Sequence, residues 1–502
     1  MENLKGFSNY VNEQLDLIHL EAIKRNIYSI GIENLQLAEV FGSKIADFIK
    51  EKFENLPIFL ACGVGERSGY GLVIARYLSN LFETHVIFPN NKVKINDYVA
   101  KHNYYITKNL QSIYHESTLP QNIKKGIIID AICDYNDEPS PELIELAKQV
   151  NKIKRANNKD IKVFSIEYPS FINNNTYPSI KPDYIFSLYK GIKEINKSNL
   201  INIALDFPIE ARLLTGMGDL YLATRKKQFN DNKYSSGSLL ILGGGEKYHG
   251  APISASFSAF NTIAALRTAL GYVTVALPDD VVKIARSFST NIIVESFGKK
   301  FDGSSIDKIT KIRHDTIVVG PGMDQTDETL EALNKLIELE IKNNKKIIID
   351  ATALNFYKHL KTNKTNYKNI IITPHEGEFE RLIGKPFINL SFEKKVRVAI
   401  DFADKNKCTL VLKGAKTIIT NGKLLKISIP KTPALATMGT GDVLDGIIAA
   451  YFTVNKDPFE SATAGVYLHA QIGDKLFNEK GTHIIAEDIV NEIPIFLKHL
   501  DL

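Results

Sequence analysis

The sequence predicts an α/β protein of two domains, each built on a mostly parallel sheet, and three observations carry that prediction. Short β-branched or apolar runs alternate with helical patterns of ten or more residues, which is the grammar of βαβ units. That grammar runs twice, interrupted near Arg225 by the polar passage "TRKKQFNDNKYSSGS", so the predicted domains are residues 1–222 and 223–502. At 502 residues each half is long enough to bury a core of its own.

In the first domain the predicted strands are "LPIFLACGVG", "THVIFPN", "KGIIIDAICD", "IKVFSIEYPS", "PDYIFSLYKG" and "INIALDFP". The second restarts with "SLLILGGG", "GYVTVALP", "DTIVVGPG", "KKIIIDATAL", "KNIIITPH", "CTLVLKGA" and "TIITNGKLLKI". Each run of the second set ends in glycine, proline or a polar residue, so its strands open into loops on one edge of a sheet. In open α/β sheets ligands bind at that edge.

Bulk properties exclude several function classes. A hydrophobic fraction of 44% and a charged fraction of 24% are ordinary for a soluble protein. The net charge of +5 is spread without a block of like charges, so no nucleic-acid partner is expected. Cys62, Cys133 and Cys408 stand singly in apolar runs, which offers neither a disulfide framework nor a metal knuckle and fits a reducing compartment. The opening "MENLKGFSNYVNEQ" lacks the apolar core of a leader, and no run reaches the roughly twenty apolar residues that span a bilayer. A cytoplasmic protein without a membrane partner is expected, and a homo-oligomer is left open.

The stretch "ATMGTGDVLDG", Ala436 to Gly446, places Asp442 at the mouth of a helix among glycines. Gly439, Thr440 and Gly441 leave backbone N–H groups to point at a ligand, and the positive end of the helix favours an anion there. An acid beside a phosphate site has a natural task in accepting a proton from a hydroxyl that attacks phosphorus. It could equally cap the helix. Four further motifs sit at strand ends: "LGGGEKYHGAP" (Leu242 to Pro252), "GPGM" (Gly320 to Met323), "TPHEGEFERL" (Thr373 to Leu382) and "LKGAKT" (Leu412 to Thr417). One such turn is ordinary punctuation; five at strand ends argue for a site.

From about Asn232 onward, the order and wording of these motifs resemble the ADP- or ATP-dependent NAD(P)H-hydrate dehydratases, a branch of the ribokinase-like fold. The trailing "AGVYLHAQIGDKLFNEKG" and "IAEDIVNEIP" fit that family's closing helices. The resemblance implies repair of NADH or NADPH hydrated at C6 of the nicotinamide ring. A nucleotide, ADP or ATP with Mg2+, phosphorylates the 6-hydroxyl, and phosphate then leaves. Asp442 is implied as the base; Ala251, Gly322 and His375 as lining the hydrate pocket with Asp442; Lys413, Gly414, Ala415, Lys416 and Thr417 with Gly439, Thr440 and Gly441 as holding the nucleotide. Glu378, in "TPHEGE", is a candidate for positioning magnesium. A small-molecule hydroxyl kinase on the same scaffold is the alternative, since Asp442 and its anion site would serve any hydroxyl.

Roughly Leu15 to Leu214 resembles the NAD(P)H-hydrate epimerases, through "CGVGERSGYGLVIARYL", "IIIDAI" and "SIEYPS", which implies a Rossmann-like α/β/α sandwich. Where that family reads G-x-G-N-N-G-G-D-G, this chain has Glu66, Arg67 and Tyr70 in place of both asparagines and the aspartate. The family holds a potassium ion with an asparagine, an aspartate and a serine. Asp130 and Ser170 survive, but the asparagine position is Arg67, whose fixed charge could occupy the space of the ion. The phosphate-binding segment reads "CDYNDEPSPE", with Asp134, Asp137 and Glu138 repelling a pyrophosphate. Glu167 replaces the catalytic aspartate. A longer carboxylate shifts the base, and displacements near ~1 Å cost on the order of a hundredfold in rate, so weak or absent epimerase activity is expected. The domain then serves as a scaffold or a non-catalytic interaction module.

Overall fold

The protein is described by a computed structural model that covers all but residues 1–3, 12–14, 90–94, 136, 173–175, 189–191, 196–199, 204–207, 226, 246–250, 358–366, 456 and 499–502, and the side chains of 4, 5, 251–259, 288, 356, 357 and 367. Two compact units divide the chain: Asn12–Pro208, and Met1–Val11 together with Ile209–Leu502.

The first unit holds β1 (Ile58–Cys62), β2 (Thr84–Ile87), β3 (Ile113–Glu116), β4 (Gly126–Ala131), β5 (Ile161–Ile166), β6 (Tyr184–Ser187) and β7 (Leu200–Asn202). Their order is β3-β2-β1-β4-β5-β6-β7, and every pairing is parallel. Alternate residues face opposite sides, as the two-residue period of a strand requires. Ile58, Leu60, Ile127 and Ile129 enter one core while Phe59, Ala61 and Ile128 enter the other. The strand order reverses between β1 and β4, and the crevice beyond their carboxyl ends is where such sheets take ligands. Gly63, at that place, has no room for a side chain: a β-carbon would lie 1.7 Å from the Ile132 carbonyl oxygen.

The second unit holds β8 (Leu239–Leu242), β9 (Val273–Pro278), β10 (Ile293–Gly298), β11 (Thr316–Val319), β12 (Lys346–Ile349), β13 (Ile370–Ile372), β14 (Thr409–Leu412), β15 (Thr417–Thr420) and β16 (Leu425–Ser428). The order is β10-β9-β8-β11-β12-β13-β14-β15-β16. Pairing is parallel except for the closing antiparallel strands β14, β15 and β16. Leu240, Leu242, Ile317, Val319, Ile347 and Ile349 pack into one core, and Leu239, Ile241, Val318 and Ile348 into the other. Burying each such side chain contributes about 1.5–3 kcal/mol, which fixes these runs as central strands covered on both faces. Residues 209–223 belong to this unit because Leu213 enters its core and the Thr215 N–H donates to the Ile427 carbonyl at 3.0 Å.

Two strands escaped the sequence reading. β3 and β10 sit at sheet edges, where one face meets solvent and polar side chains break the apolar run. All three cysteines are free and buried, and among the described residues no helix is long and apolar enough to cross a membrane.

Candidate active site

In the second unit the loops after β11, β12, β13 and β14 meet. The Lys413 ammonium lies 2.9 Å from Asp350 Oδ1, and the Lys413 backbone N–H donates to the Pro374 carbonyl at 2.8 Å, which sets His375 beside it. Gly320 is held at φ 123°. A β-carbon there would come 2.0 Å from the Asp350 carbonyl oxygen, so only glycine lets the two loops touch.

Asp442 lies in the first turn of helix Thr440–Val454, whose N-cap is Gly439 at φ 86°, a left-handed conformation that glycine adopts without penalty. The N-cap position is held by Gly439 and not by Asp442, which stands inside the first turn. Asn261 donates from Nδ2 to Asp442 Oδ1 at 3.4 Å. A β-carbon on Gly441 would lie 3.6 Å from Lys413 Nζ, so acid, ammonium and helix start share one small space. Burial, and then the ionised Asp350, push the Asp442 carboxyl up to about 7, with Lys413 opposing. A carboxyl poised there exchanges a proton readily near neutral pH. Burial works against charge on Lys413, yet Asp350 overrides it and holds the ammonium protonated.

His375 caps helix Glu376–Ile383: its Nδ1 accepts from the Gly377 and Glu378 amides at 3.0 and 3.3 Å, while Glu378 Oε2 accepts from the His375 N–H at 2.9 Å. That commits Nδ1 as an acceptor at the helix start. Gly414 and Ala415 are exposed, Thr417 opens β15, and the Lys416 ammonium lies 4.9 Å from the Phe392 ring centre. Gly322 sits at φ 64° in the turn after β11. Ala251 opens helix Ala251–Thr268; its side chain, and Glu246 to Gly250 of the preceding glycine-rich motif, lie outside the described residues.

The first unit's site is filled by its own side chains. Arg67 is fully buried. Its guanidinium donates to the carbonyls of Ile166 at 2.8 Å, Asp130 at 3.2 Å, Tyr168 and Cys133, and to the Ser170 hydroxyl at 3.0 Å. Asp130 Oδ2 lies 3.5 Å from it, and the Tyr168 ring centre 4.5 Å away. Such a cage of carbonyl, hydroxyl and carboxylate oxygens would suit a potassium ion, but with the guanidinium inside it does not fit one.

Asp134 occupies the start of helix Glu66–Leu78, accepting from the Glu66 amide at 2.7 Å and the Arg67 amide at 3.3 Å. A phosphate would need that same helix end. Glu167, at φ 61°, is buried with Oε2 3.1 Å from Lys24 Nζ, which also reaches Glu66 at 3.1 Å. Tyr70 donates its hydroxyl to Glu66 at 2.7 Å. The Arg67 guanidinium, the Asp134 carboxylate and the Lys24–Glu167 pair thus fill these spaces with side chains of the chain itself.

Residues 239–495 match the family described as NAD(P)H-hydrate dehydratase, and residues 34–191 the one described as YjeF-related protein N-terminus. The chain is 30% identical over 497 residues to the bifunctional NAD(P)H-hydrate repair enzyme of Methanocaldococcus jannaschii, a similarity spanning 95% of this chain and 92% of that one. This chain belongs to the bifunctional NAD(P)H-hydrate repair family. It is similar in the same way to the Archaeoglobus fulgidus enzyme of that name, at 29% over 492 residues, 95% of this chain and 96% of that one. The ADP-dependent (S)-NAD(P)H-hydrate dehydratase of Nitrosopumilus maritimus is 30% identical over 295 residues, 58% of this chain and 97% of its own length.

Among the repair-family residues named from sequence, Asp442, Gly441, Lys413 and His375 come together. Sequence reasoning missed Asp350, Asp445, Asn261 and His469. His469, in helix Pro458–Lys480, is held neutral by burial, at about 4. The one available signal was Asp350 ending the apolar run "KIIID", at the edge where such sheets bind ligands.

Proposed function

We propose that the unit holding Ile209–Leu502 dehydrates the S epimer of C6-hydrated NADH and NADPH, with ADP as phosphoryl donor and ATP as the substitute, and that the unit Asn12–Pro208, rather than the whole of residues 1–222, is an epimerase-like domain without epimerase activity. The supporting observation is the Asp442 carboxyl, poised between Asn261 and a glycine-lined helix start against which Lys413 is packed. The ADP-dependent name of the Nitrosopumilus maritimus relative favours ADP.

In this reading Lys413 to Thr417 and Gly439 to Gly441 hold the nucleotide, with the Lys413 ammonium and the helix start facing the charge on the moving phosphoryl group. Asp442 takes the proton of the 6-hydroxyl as that oxygen attacks the terminal phosphorus of ADP, and AMP leaves. The lone pair of the ring nitrogen then expels phosphate from C6, and loss of a C5 proton restores the dihydropyridine. Ala251, Gly322 and His375 line the hydrate pocket. Among the described residues no three His, Cys, Asp or Glu converge as metal ligands. Magnesium would arrive on the nucleotide phosphates, which suits an ion that keeps its waters and takes one or two carboxylates, Glu378 being the candidate named from sequence.

The base must be ionised to act. Because Asp442 is pushed up to about 7, kcat/KM should rise through an acidic limb centred near that value rather than near the usual carboxylate range; a flat profile from pH 5 to 8 would argue against the assignment. The function itself is tested by incubating the full chain with both C6 epimers of hydrated NADH, ADP and magnesium, and following NADH absorbance with chromatographic separation of the epimers. Recovery that stops with the R epimer left behind is expected. Fast consumption of both would mean a working epimerase, and a product that keeps its phosphate would mean a hydroxyl kinase.

A further inference from the structure

Asp445 lies one helical turn beyond Asp442 and is wholly buried. Neither of its side-chain oxygens meets a donor; the group it bonds is a second carboxyl, that of Asp350. Two ionised carboxylates cannot hydrogen-bond to each other, so one must carry a proton. Asp350 is the worse keeper of it, having the Lys413 ammonium at 2.9 Å and a bond from the Ala351 amide. Burial, and then the charge of Asp350, hold the Asp445 carboxyl far above the ordinary range; burial pushes Asp350 up as well, but Lys413 and the bond from Asp445 bring it below. Asp445 is therefore the donor of the pair and Asp350 the acceptor.

We propose that Asp445 is a positioning residue of the nucleotide site: its protonated carboxyl donates to Asp350 and fixes it in the orientation that holds the Lys413 ammonium against Gly441. The proposal rests on the nucleotide-binding reading above and deepens it. The three acids divide the work between them. Asp350 carries the charge that matches Lys413, Asp445 stays neutral, and Asp442, spared a second negative charge one turn away, is left free to lose and regain its proton.

The test uses the full chain, ADP binding by calorimetry with magnesium present, and infrared spectra above pH 8. Asp445→Asn keeps a neutral donor for Asp350 and should bind ADP within about twofold of the native chain, whereas Asp445→Val removes the donor and should weaken ADP by about tenfold or more. The native spectrum should show a protonated-carboxyl band that is absent from Asp445→Asn, a readout independent of whether the valine variant folds. ADP affinity unchanged in Asp445→Val, affinity lost equally in Asp445→Asn, or no such band would overturn the proposal. A native chain that does not bind ADP would instead overturn the nucleotide reading, and the proposal with it.

Discussion

Asp442→Asn is expected to lower turnover by about 10²–10⁴-fold while leaving ADP affinity within a few-fold, because a positioned general base contributes about that much and the amide cannot take a proton. At 1.36 kcal/mol per tenfold this is about 2.7–5.4 kcal/mol of transition-state stabilisation. The substitution keeps the shape of the side chain and an oxygen to accept from Asn261. It also removes the partial charge that Asp350 disfavours, so melting temperature should hold or rise. Single-turnover rates with saturating ADP separate the chemical step from binding. Turnover within tenfold of the native chain would take Asp442 out of the base role, and a parallel loss of ADP affinity would mean that it serves the nucleotide instead. Loss of turnover with binding and stability retained is the pattern expected of a group that acts in the chemical step, and the acidic limb near 7 is what marks it as the proton acceptor.

That experiment turns on a residue legible in sequence, since "GTGD" ahead of an apolar helix states both the anion site and the acid. The central strands were equally legible: runs such as "IIID" and "LLIL" are buried on both faces and cannot be anything else. What was hidden has a common physical cause. β3 and β10 have one solvated face, so their sequences carry half the apolar signal. Asp445 reads as one polar residue in a helical pattern, and only the tertiary fold brings it against Asp350 from another strand end. His375 was read for the pocket, and the fold shows its Nδ1 committed to two amides at a helix start. For Arg67 the sequence gives the substitution but not the surroundings. The carbonyls around it come from the ends of β4 and β5 and the loops that follow, which no local pattern reports.

Those surroundings make Arg67 the residue whose removal should cost the first unit most. Truncating one member of a buried, fully bonded ion pair leaves the other uncompensated, and such changes cost about 3–5 kcal/mol. In Arg67→Ala the carboxylate of Asp130 keeps the Ser165 and Ser170 hydroxyls and the Ser170 and Ile132 amides but loses the charge that matches it, and the carbonyls of Ile166, Cys133, Asp130 and Tyr168 lose the guanidinium as a donor. Hydrogen exchange on the full chain should show lost protection concentrated in β1, β4 and β5. Arg67→Lys should recover only part of it, because an ammonium is a point charge and cannot bond all five acceptors as the planar guanidinium does. Potassium chloride, compared with lithium chloride at equal ionic strength, should restore some stability to Arg67→Ala and none to the native chain, since the emptied cage is a ring of oxygens that can replace a large cation's hydration shell. Unchanged protection in Arg67→Ala would mean that the guanidinium is not what holds this site together. Restoring potassium should still not restore epimerisation. Asp134 would go on occupying the helix end that a phosphate needs, and Lys24 would go on neutralising Glu167.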